Sequence, residues 1–140
     1  MAKSQPFSLR LSPRVEALVA EEARRTGRSK GAVVEALAEE ALKTRLFPGM
    51  AFRGVDWERR AWVIGTALDV WEIVAAFGDF DSVEQMAKKS DLSERQIRLA
   101  LAYAEHFPDE IDDAVARGGR ALDQLRAEYP TIDVASVSTR

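Results

Sequence analysis

Two polar side chains near the N-terminus stand two residues apart, as they would on one face of a β-strand. Ser8 and Arg10 alternate with apolar residues. These residues are Phe7, Leu9 and Leu11. Such a two-residue period indicates a half-buried strand whose apolar side chains turn inward. On the outward face, an arginine can form two hydrogen bonds with guanine, and a serine can bond any base. A contact with double-stranded DNA and a solvated strand face are the two interpretations of the outward side chains Ser8 and Arg10.

A second polar group, Arg28-Ser29-Lys30, stands where a later helix is predicted to begin. Ser29 is placed to cap that helix. The free N–H groups and the dipole of a helix N-terminus favour an anion, so we predict that Arg28, Ser29 and Lys30 contact DNA phosphates. Phosphate contacts position a protein on the duplex without reading its sequence. A well-capped helix with two loop cations is the alternative, and it does not exclude phosphate binding.

The elements that must position these residues are one strand and two helices. Ser12 is a typical N-cap, and Pro13 suits the first helical position. The first predicted helix ends at Gly27 and has one apolar face, formed by Val15, Leu18, Val19 and Ala23. The second predicted helix fades near residues 43–44. Its predicted buried residues are Val33, Val34, Leu37, Ala38 and Ala41.

One strand and two helices within about 45 residues cannot make a stable domain alone. The strand would leave its backbone groups unpaired, and so short a segment buries too little surface. A second copy solves both problems, because two strands can pair antiparallel above four helices. The sequence therefore predicts a homodimer whose two-stranded ribbon fits the DNA major groove.

Residues 5–45 resemble the ribbon-helix-helix repressors. The resemblance is carried by Phe7-Ser8-Leu9-Arg10-Leu11-Ser12, by an amphipathic helix, and by Thr26-Gly27-Arg28-Ser29-Lys30 before a second helix. It implies that outward strand residues, here Ser8 and Arg10, read base edges. It also implies a phosphate at the start of the second helix. Pro6 occupies the third reading position and has no side-chain donor.

The following segment is predicted to connect two modules. Residues 46–60 contain one Pro, two Gly and mixed charge, which indicates a connector with a short hairpin. An apolar run predicts a strand at residues 61–64 before a turn at Gly65-Thr66. Asp69 is then predicted to cap a helix.

Two capping boxes predict the next helices. Asp81 with Glu84 forms the first box, and Ser93 with Gln96 forms the second. With the turn at residues 90–92, this order is that of a helix-turn-helix. A further helix starts at Pro108, and we expect Gly118-Gly119 to break it before it resumes at 120–128.

Residues 46–115 resemble the small winged-helix-like domains of VapB-type antitoxins. The matching segments are Phe47-Pro48-Gly49-Met50-Ala51-Phe52-Arg53-Gly54, Arg60-Ala61, Gly65-Thr66-Ala67-Leu68-Asp69-Val70-Trp71-Glu72-Ile73 and Ala100-Leu101-Ala102-Tyr103-Ala104. The family commonly has Gly-Thr-Arg where this chain has Gly65-Thr66-Ala67. The resemblance implies the antitoxin of a type II toxin–antitoxin system, with a toxin protein as its partner.

Charge is unevenly distributed along the 140 residues. Residues 1–60 hold 12 Lys/Arg and 8 Asp/Glu, which gives +4, whereas residues 61–140 hold 8 and 15, which gives −7. A basic first part and an acidic second part favour different partners. We therefore expect the first to bind DNA and the second to hold the toxin. Arg95 and Arg98 on the predicted recognition helix are less suited to DNA, because acidic neighbours repel phosphate.

Several classes of protein are not expected. There is no Cys, no N-terminal signal peptide and no apolar run long enough to span a membrane, so we expect a cytoplasmic protein. The only His is His106, and neither a nucleophile elbow nor a phosphate-cradling loop is present, so we expect no catalysis and no cofactor. The acids at residues 109–113 suit a helix start better than a metal site.

The sequence thus predicts a mainly α-helical protein in three parts. Residues 1–45 form the ribbon-helix-helix dimerisation domain, 46–115 the winged-helix-like domain, and 116–140 a C-terminal helix with a flexible tail. The predicted function is an antitoxin-like repressor of its own operator, so a chain ending at Val115 should bind DNA but neutralise no toxin. The alternatives are a stand-alone transcription factor, whose second module senses a ligand or joins dimers, and a protein-interaction adaptor. Whether dimers pair into tetramers stays open.

Overall fold

The computed structural model describes residues 5–56, 58–128 and 130, with Arg126 described by its backbone alone. Within them the chain forms six helices and one two-stranded antiparallel sheet, which confirms the prediction of a mainly helical protein. The elements are α1 (Pro13–Thr26), α2 (Lys30–Leu46), β1 (Met50–Arg53), β2 (Arg60–Val63), α3 (Val70–Phe77), α4 (Val83–Lys89), α5 (Glu94–His106) and α6 (Pro108–Glu128). No helix in this described part is both long and apolar enough to cross a bilayer.

The chain divides into two compact units, Met1–Leu42 and Lys43–Arg140, so the last residues of α2 are counted with the second unit. The predicted three-part division stays a prediction. However, α6 runs without interruption through the boundary that we expected after residue 115.

The two helices of the first unit begin as their caps predict. The Ser12 hydroxyl accepts a hydrogen bond from the Val15 N–H at 3.4 Å, and α1 ends at Gly27, whose φ of 68° glycine adopts without strain. The Ser29 hydroxyl accepts from the Ala32 N–H at 3.1 Å and caps α2. α2 continues to Leu46, past the predicted end. Its last turn carries Lys43 and Arg45, which suit a helix C-terminus.

The first unit differs from the sequence prediction at the strand. Residues 5–12 carry no regular secondary structure. The physical reason is that a β-strand exists through hydrogen bonds to a neighbouring strand, and one chain supplies no neighbour here. Two of the predicted buried residues, Val19 and Val33, are buried. Several others are exposed, namely Val15, Leu18, Leu37, Ala38 and Ala41.

The second unit is built around a hairpin and the pair α3 and α5. The predicted short hairpin is present, although residues 46–60 lie inside the second unit and not between the two units. Its register places Met50 opposite Val63 and Arg53 opposite Arg60. The predicted strand near residues 61–64 is β2. The largest fully buried side chains of the unit are those of Tyr103, Ile73, Met86, Ile97, Val63 and Val70.

One predicted helix start is wrong by one residue. The box at Ser93 and Gln96 is confirmed by reciprocal bonds of 3.1 and 2.9 Å. In contrast, the N-cap of α4 is Ser82 rather than Asp81, and its hydroxyl accepts from the Gln85 N–H at 3.1 Å. The shift follows from the side chain at residue 85, whose Oε1 accepts from the Asp81 N–H at 2.6 Å.

The predicted break at Gly118-Gly119 is also wrong, because α6 passes through both residues as one helix. Gly118 lies against the indole of Trp71, and a Cβ at this position would come within 2.3 Å of a ring carbon. Glycine is therefore present here for packing against an aromatic ring, and its low helix propensity does not end the helix.

Candidate functional site

The two predicted base-contacting residues lie just before α1. Ser8 and Arg10 are both exposed. Phe7 and Leu9 are exposed as well, at 83% and 59%, and Leu11 is half-buried. In one chain, therefore, the two faces of the predicted strand are not yet distinguished by burial.

The three predicted phosphate-contacting residues meet at the start of α2. Ser29 caps the helix, and the exposed Arg28 donates its backbone N–H to the Ala23 oxygen at 3.2 Å. The Lys30 ammonium contacts the Glu16 carboxylate, and about half of each side chain is exposed. Such exposed ion pairs contribute little, about 0–1 kcal/mol, so this pair leaves Lys30 able to exchange Glu16 for a phosphate. The first turn of α2 has no acidic residue that would repel an anion.

The net charge of the first structural unit is smaller than that of residues 1–60. Residues 1–42 carry seven Lys/Arg and six Asp/Glu, a balance of +1. Most of the +4 assigned to residues 1–60 thus belongs to residues 43–60, which carry five and two and lie in the second unit. The local balance before the helices is stronger, since residues 1–15 contain Lys3, Arg10 and Arg14 and no acid.

The outer face of α5 is occupied by ion pairs. A terminal nitrogen of Arg98 lies 2.7 Å from a carboxylate oxygen of Glu84 and 3.7 Å from one of Glu94. The pKa of Glu84 is lowered, first by its own backbone N–H and then by the Arg98 guanidinium. This pairing supports the interpretation that Arg98 forms surface ion pairs within the protein and does not contact DNA. Arg95 is exposed beside it.

A buried carboxylate missed by sequence reasoning holds the hairpin to α3. Asp69 keeps only 5% of its side chain exposed, and its two oxygens accept from Nε of Arg53 and Nε of Arg60, each at 2.7 Å. These arginines face each other across the two strands, where like charges repel. Asp69 cancels that repulsion. The sequence indicated only a helix cap, because the register that brings the arginines together is a tertiary feature.

A partly buried ion pair joins the end of α2 to α6. The Lys43 ammonium lies 3.1 Å from the Glu110 carboxylate and 4.5 Å from the centre of the Phe107 ring. Tyr103 donates its hydroxyl hydrogen bond to the same carboxylate, at 2.7 Å. Glu110, expected to serve the helix dipole, therefore has specific partners. Sequence periodicity contained no signal for this contact over 67 residues.

In the described ranges, no three His, Asp or Glu residues are grouped so that they could hold a metal ion. Comparison of the chain with protein-family models, with curated proteins and with solved structures gave no match.

Proposed function

We propose that this chain is a dimeric, antitoxin-like transcriptional repressor that binds operator DNA through its N-terminal unit and a toxin protein through its C-terminal part. One observation carries the proposal. The segment from Phe7 to Leu11 has the alternation of a strand, pairs with no strand among the residues that the structure describes, and exposes the apolar side chains of Phe7 and Leu9. Pairing with the same segment of a second copy satisfies its backbone and buries that face.

The exposed apolar side chains on the helices of the first unit also favour pairing with a second copy of the chain. Two apolar side chains, Val19 and Val33, are buried among its described residues. Other apolar side chains of equal or larger size remain exposed on both helices, namely Val15, Leu18, Leu37 and Leu42. Covering a side chain of this size contributes about 1.5–3 kcal/mol, and a symmetric dimer counts each contribution twice. An intertwined ribbon-helix-helix dimer, which the sequence resembles, would bury these residues beneath the paired strands.

Such a dimer also assigns roles to the polar residues. With Phe7 and Leu9 turned inward, Ser8 and Arg10 face outward from a two-stranded ribbon of the width that the major groove admits. The capped start of α2, with Arg28, Ser29 and Lys30, then contacts phosphates. The acid-free stretch before Glu16 favours the same polyanion. One dimer or two adjacent dimers could occupy the operator.

The toxin-binding half of the proposal rests on the resemblance of residues 46–115 to antitoxin domains and on α6. Leu122 and Leu125 stand three residues apart on this helix, and about 40% of each is exposed. The helix begins with Asp109 and Glu110, and residues 61–140 carry a balance of −7. A toxin with a basic groove, such as an RNA-cleaving one, is the partner that fits this charge.

DNA binding is tested by fluorescence anisotropy of the full chain on its own upstream region at several salt concentrations. We expect tight, sequence-selective binding that weakens steeply with salt, because each phosphate contact releases counterions. Arg10→Ala should weaken selective binding by about 1–3 kcal/mol, roughly five- to 150-fold. Arg95→Ala, an exposed arginine on α5, is the matched control and should change little.

Selective binding that survives Arg10→Ala would remove the ribbon from the proposal and move the DNA contact to α5. A lack of binding at low salt would favour the adaptor interpretation. The oligomeric state of Arg10→Ala must equal that of the parent chain, so that loss of a DNA contact is separated from loss of the dimer.

Toxin binding is tested with the product of a small reading frame beside the gene. We expect the full chain to form a complex with that product, and Leu122→Lys with Leu125→Lys to abolish it while DNA binding persists. A complex unchanged by both substitutions would show that the exposed face of α6 does not hold the toxin. If no such reading frame exists, the stand-alone transcription factor becomes the better proposal.

A further inference from the structure

A cavity of about 370 Å³ opens in the second unit between the start of β2 and the helices α3 and α6. Its apolar lining comes from Trp71, Ile111 and Ala114, together with the backbone at Gly118. The volume lies in the range of small-molecule sites, which combine an apolar lining with a few polar groups that fix orientation. None of the residues predicted to contact DNA lines it.

The glycine at residue 118 is what gives this cavity its aromatic wall. Any side chain there would collide with the Trp71 indole, since even a Cβ would reach within 2.3 Å of the ring. The absence of a side chain thus lets the Trp71 indole, which also lines the cavity, approach α6 closely. A planar apolar group entering the cavity can pack against that ring.

Three of the five charged side chains that line the cavity already have protein partners. Arg60 is paired with Asp69, and Glu110 with Lys43 and Tyr103. Arg59 donates to the backbone oxygens of Gly54 and Phe52, at 3.0 and 3.1 Å. These three groups already have protein partners, so a ligand would have to displace one of those contacts to bind them.

The remaining two charged groups have opposite signs. The side chains of Glu58, just before β2, and Arg117, on α6, line the cavity and are exposed. Glu58 is bonded through its backbone, where its carbonyl oxygen accepts from Arg60 at 3.3 Å. Within the described residues, the side chains of Glu58 and Arg117 form no hydrogen bond and no ion pair. The cavity therefore offers one carboxylate, one guanidinium and an aromatic wall to whatever enters it.

We propose that this cavity binds a free amino acid with an aromatic side chain. The ligand's carboxylate would pair with Arg117, its ammonium group with Glu58, and its ring would pack against Trp71. A guanidinium suits a carboxylate because it donates two parallel hydrogen bonds. The proposal concerns the second unit alone and holds whether or not the first unit binds DNA.

The test is an NMR titration of the ¹⁵N-labelled full chain, followed at the indole N–H of Trp71 and assigned with Trp71→Phe. The probes are L-phenylalanine, 3-phenylpropionate, which lacks the ammonium group, and phenethylamine, which lacks the carboxylate. We expect a saturable shift with L-phenylalanine at concentrations up to about 10 mM. Each single-charge probe should bind about tenfold more weakly, since it loses one charge-assisted bond.

Charge-neutralising variants then separate the two contacts. Arg117→Gln should weaken the binding of L-phenylalanine and 3-phenylpropionate while leaving that of phenethylamine unchanged. Glu58→Gln should weaken the binding of L-phenylalanine and phenethylamine while leaving that of 3-phenylpropionate unchanged. Arg120→Gln and Glu105→Gln alter exposed residues outside the cavity and should leave all three affinities unchanged. These are surface substitutions, so the rest of the spectrum should show an intact fold.

Three results would overturn the proposal. The first is no shift of the Trp71 indole with L-phenylalanine over the whole range. The second is equal binding of the three probes, which would indicate apolar adsorption without charge recognition. The third is an equal loss of binding in Arg117→Gln and Arg120→Gln, which would indicate a diffuse electrostatic effect of α6.

Discussion

Asp69 neutralises the two arginines of the hairpin in the second unit. Its buried carboxylate separates two arginines that stand directly opposite each other on β1 and β2. Arg53 also lies over the Trp62 ring, 5.2 Å from its centre, and donates to the Ala67 oxygen at 2.9 Å. One carboxylate thus fixes the hairpin, the following turn and the start of α3.

We expect Asp69→Asn to lower the free energy of unfolding by about 2 kcal/mol. Breaking a buried pair by removing one partner is costly, and the partial exposure of both arginines reduces that cost. The measurement is urea denaturation of the variant and of Asp79→Asn, an exposed aspartate that serves as the control. Equal stability of the two variants would mean that the arginines are solvated independently of Asp69.

The pairing of Glu84 with Arg98 makes a prediction about pH. The pKa of Glu84 is lowered by its own backbone N–H and by Arg98, so Arg98→Gln should raise that pKa part of the way back, because the backbone contact remains. A carboxyl whose folded pKa is depressed stabilises the fold above its unfolded pKa, and this stabilisation is lost as the pH falls through the folded pKa. NMR titration of the Glu84 carboxyl tests the predicted change in pKa, with Arg95→Gln as the variant that should leave that pKa unchanged, and urea denaturation at several pH values tests the loss of stability.

At the scale of elements, capping chemistry predicted most of the helix starts. Ser12, Ser29, Asp69 and Ser93 each precede a helix as the sequence indicated, and a short hairpin is present, although β2 lies mostly beyond residue 60. Caps are predictable because the hydrogen bond spans three residues and needs no distant partner. Where two polar residues compete, as before α4, local sequence does not decide which one caps.

The wrong prediction at Gly118-Gly119 has a different cause. Glycine favours a helix break by propensity, but that preference of about 1 kcal/mol is small against tertiary packing. The ring that requires Gly118 lies on α3, 47 residues earlier in the chain. The contacts of Asp69 with its two arginines and of Glu110 with Lys43 also join distant parts of the chain, so no local sequence pattern predicts them.

Two adjacent glycines in α6 should therefore respond oppositely to the same substitution. Gly118→Ala should destabilise the protein by about 1–3 kcal/mol, because the new Cβ overlaps the Trp71 ring. Gly119→Ala, which meets nothing within 4 Å, should stabilise it by about 0.5–1 kcal/mol through helix propensity. Thermal and urea unfolding of both variants provide the measurement. A destabilised Gly119→Ala would show that glycine is needed in α6 for its backbone.

At the scale of the whole molecule, the proposed dimer has the clearest prediction. The chain should sediment with twice its mass of 15.6 kDa. Leu18→Lys should shift the equilibrium towards the monomer by at least about tenfold, because Leu18 is 67% exposed in one chain and each copy would lose an apolar contact. Leu122→Lys, on α6, should leave the dimer intact. A monomeric parent chain would contradict the ribbon.

The structure also changes how the C-terminal part should be tested. Val115, the proposed end of a shortened chain, lies inside α6, and this helix packs on α3 through Gly118 and Trp71. Removing residues after 115 would expose that ring and perturb the fold together with any toxin contact. Single substitutions on the exposed face of α6 keep the fold and separate the two effects.

The contact between Gly118 and Trp71 has a consequence for how this protein can evolve. A residue larger than glycine at 118 is acceptable only if the aromatic ring at 71 becomes smaller at the same time. The two positions should therefore change together among descendants of this sequence, while residue 119 drifts freely. A library can test this dependence by randomising residues 71, 118 and 119 and selecting for folded protein. The selected sequences should lack the combination of a large aromatic residue at 71 with any residue larger than glycine at 118, and no measurement of stability is needed to see it.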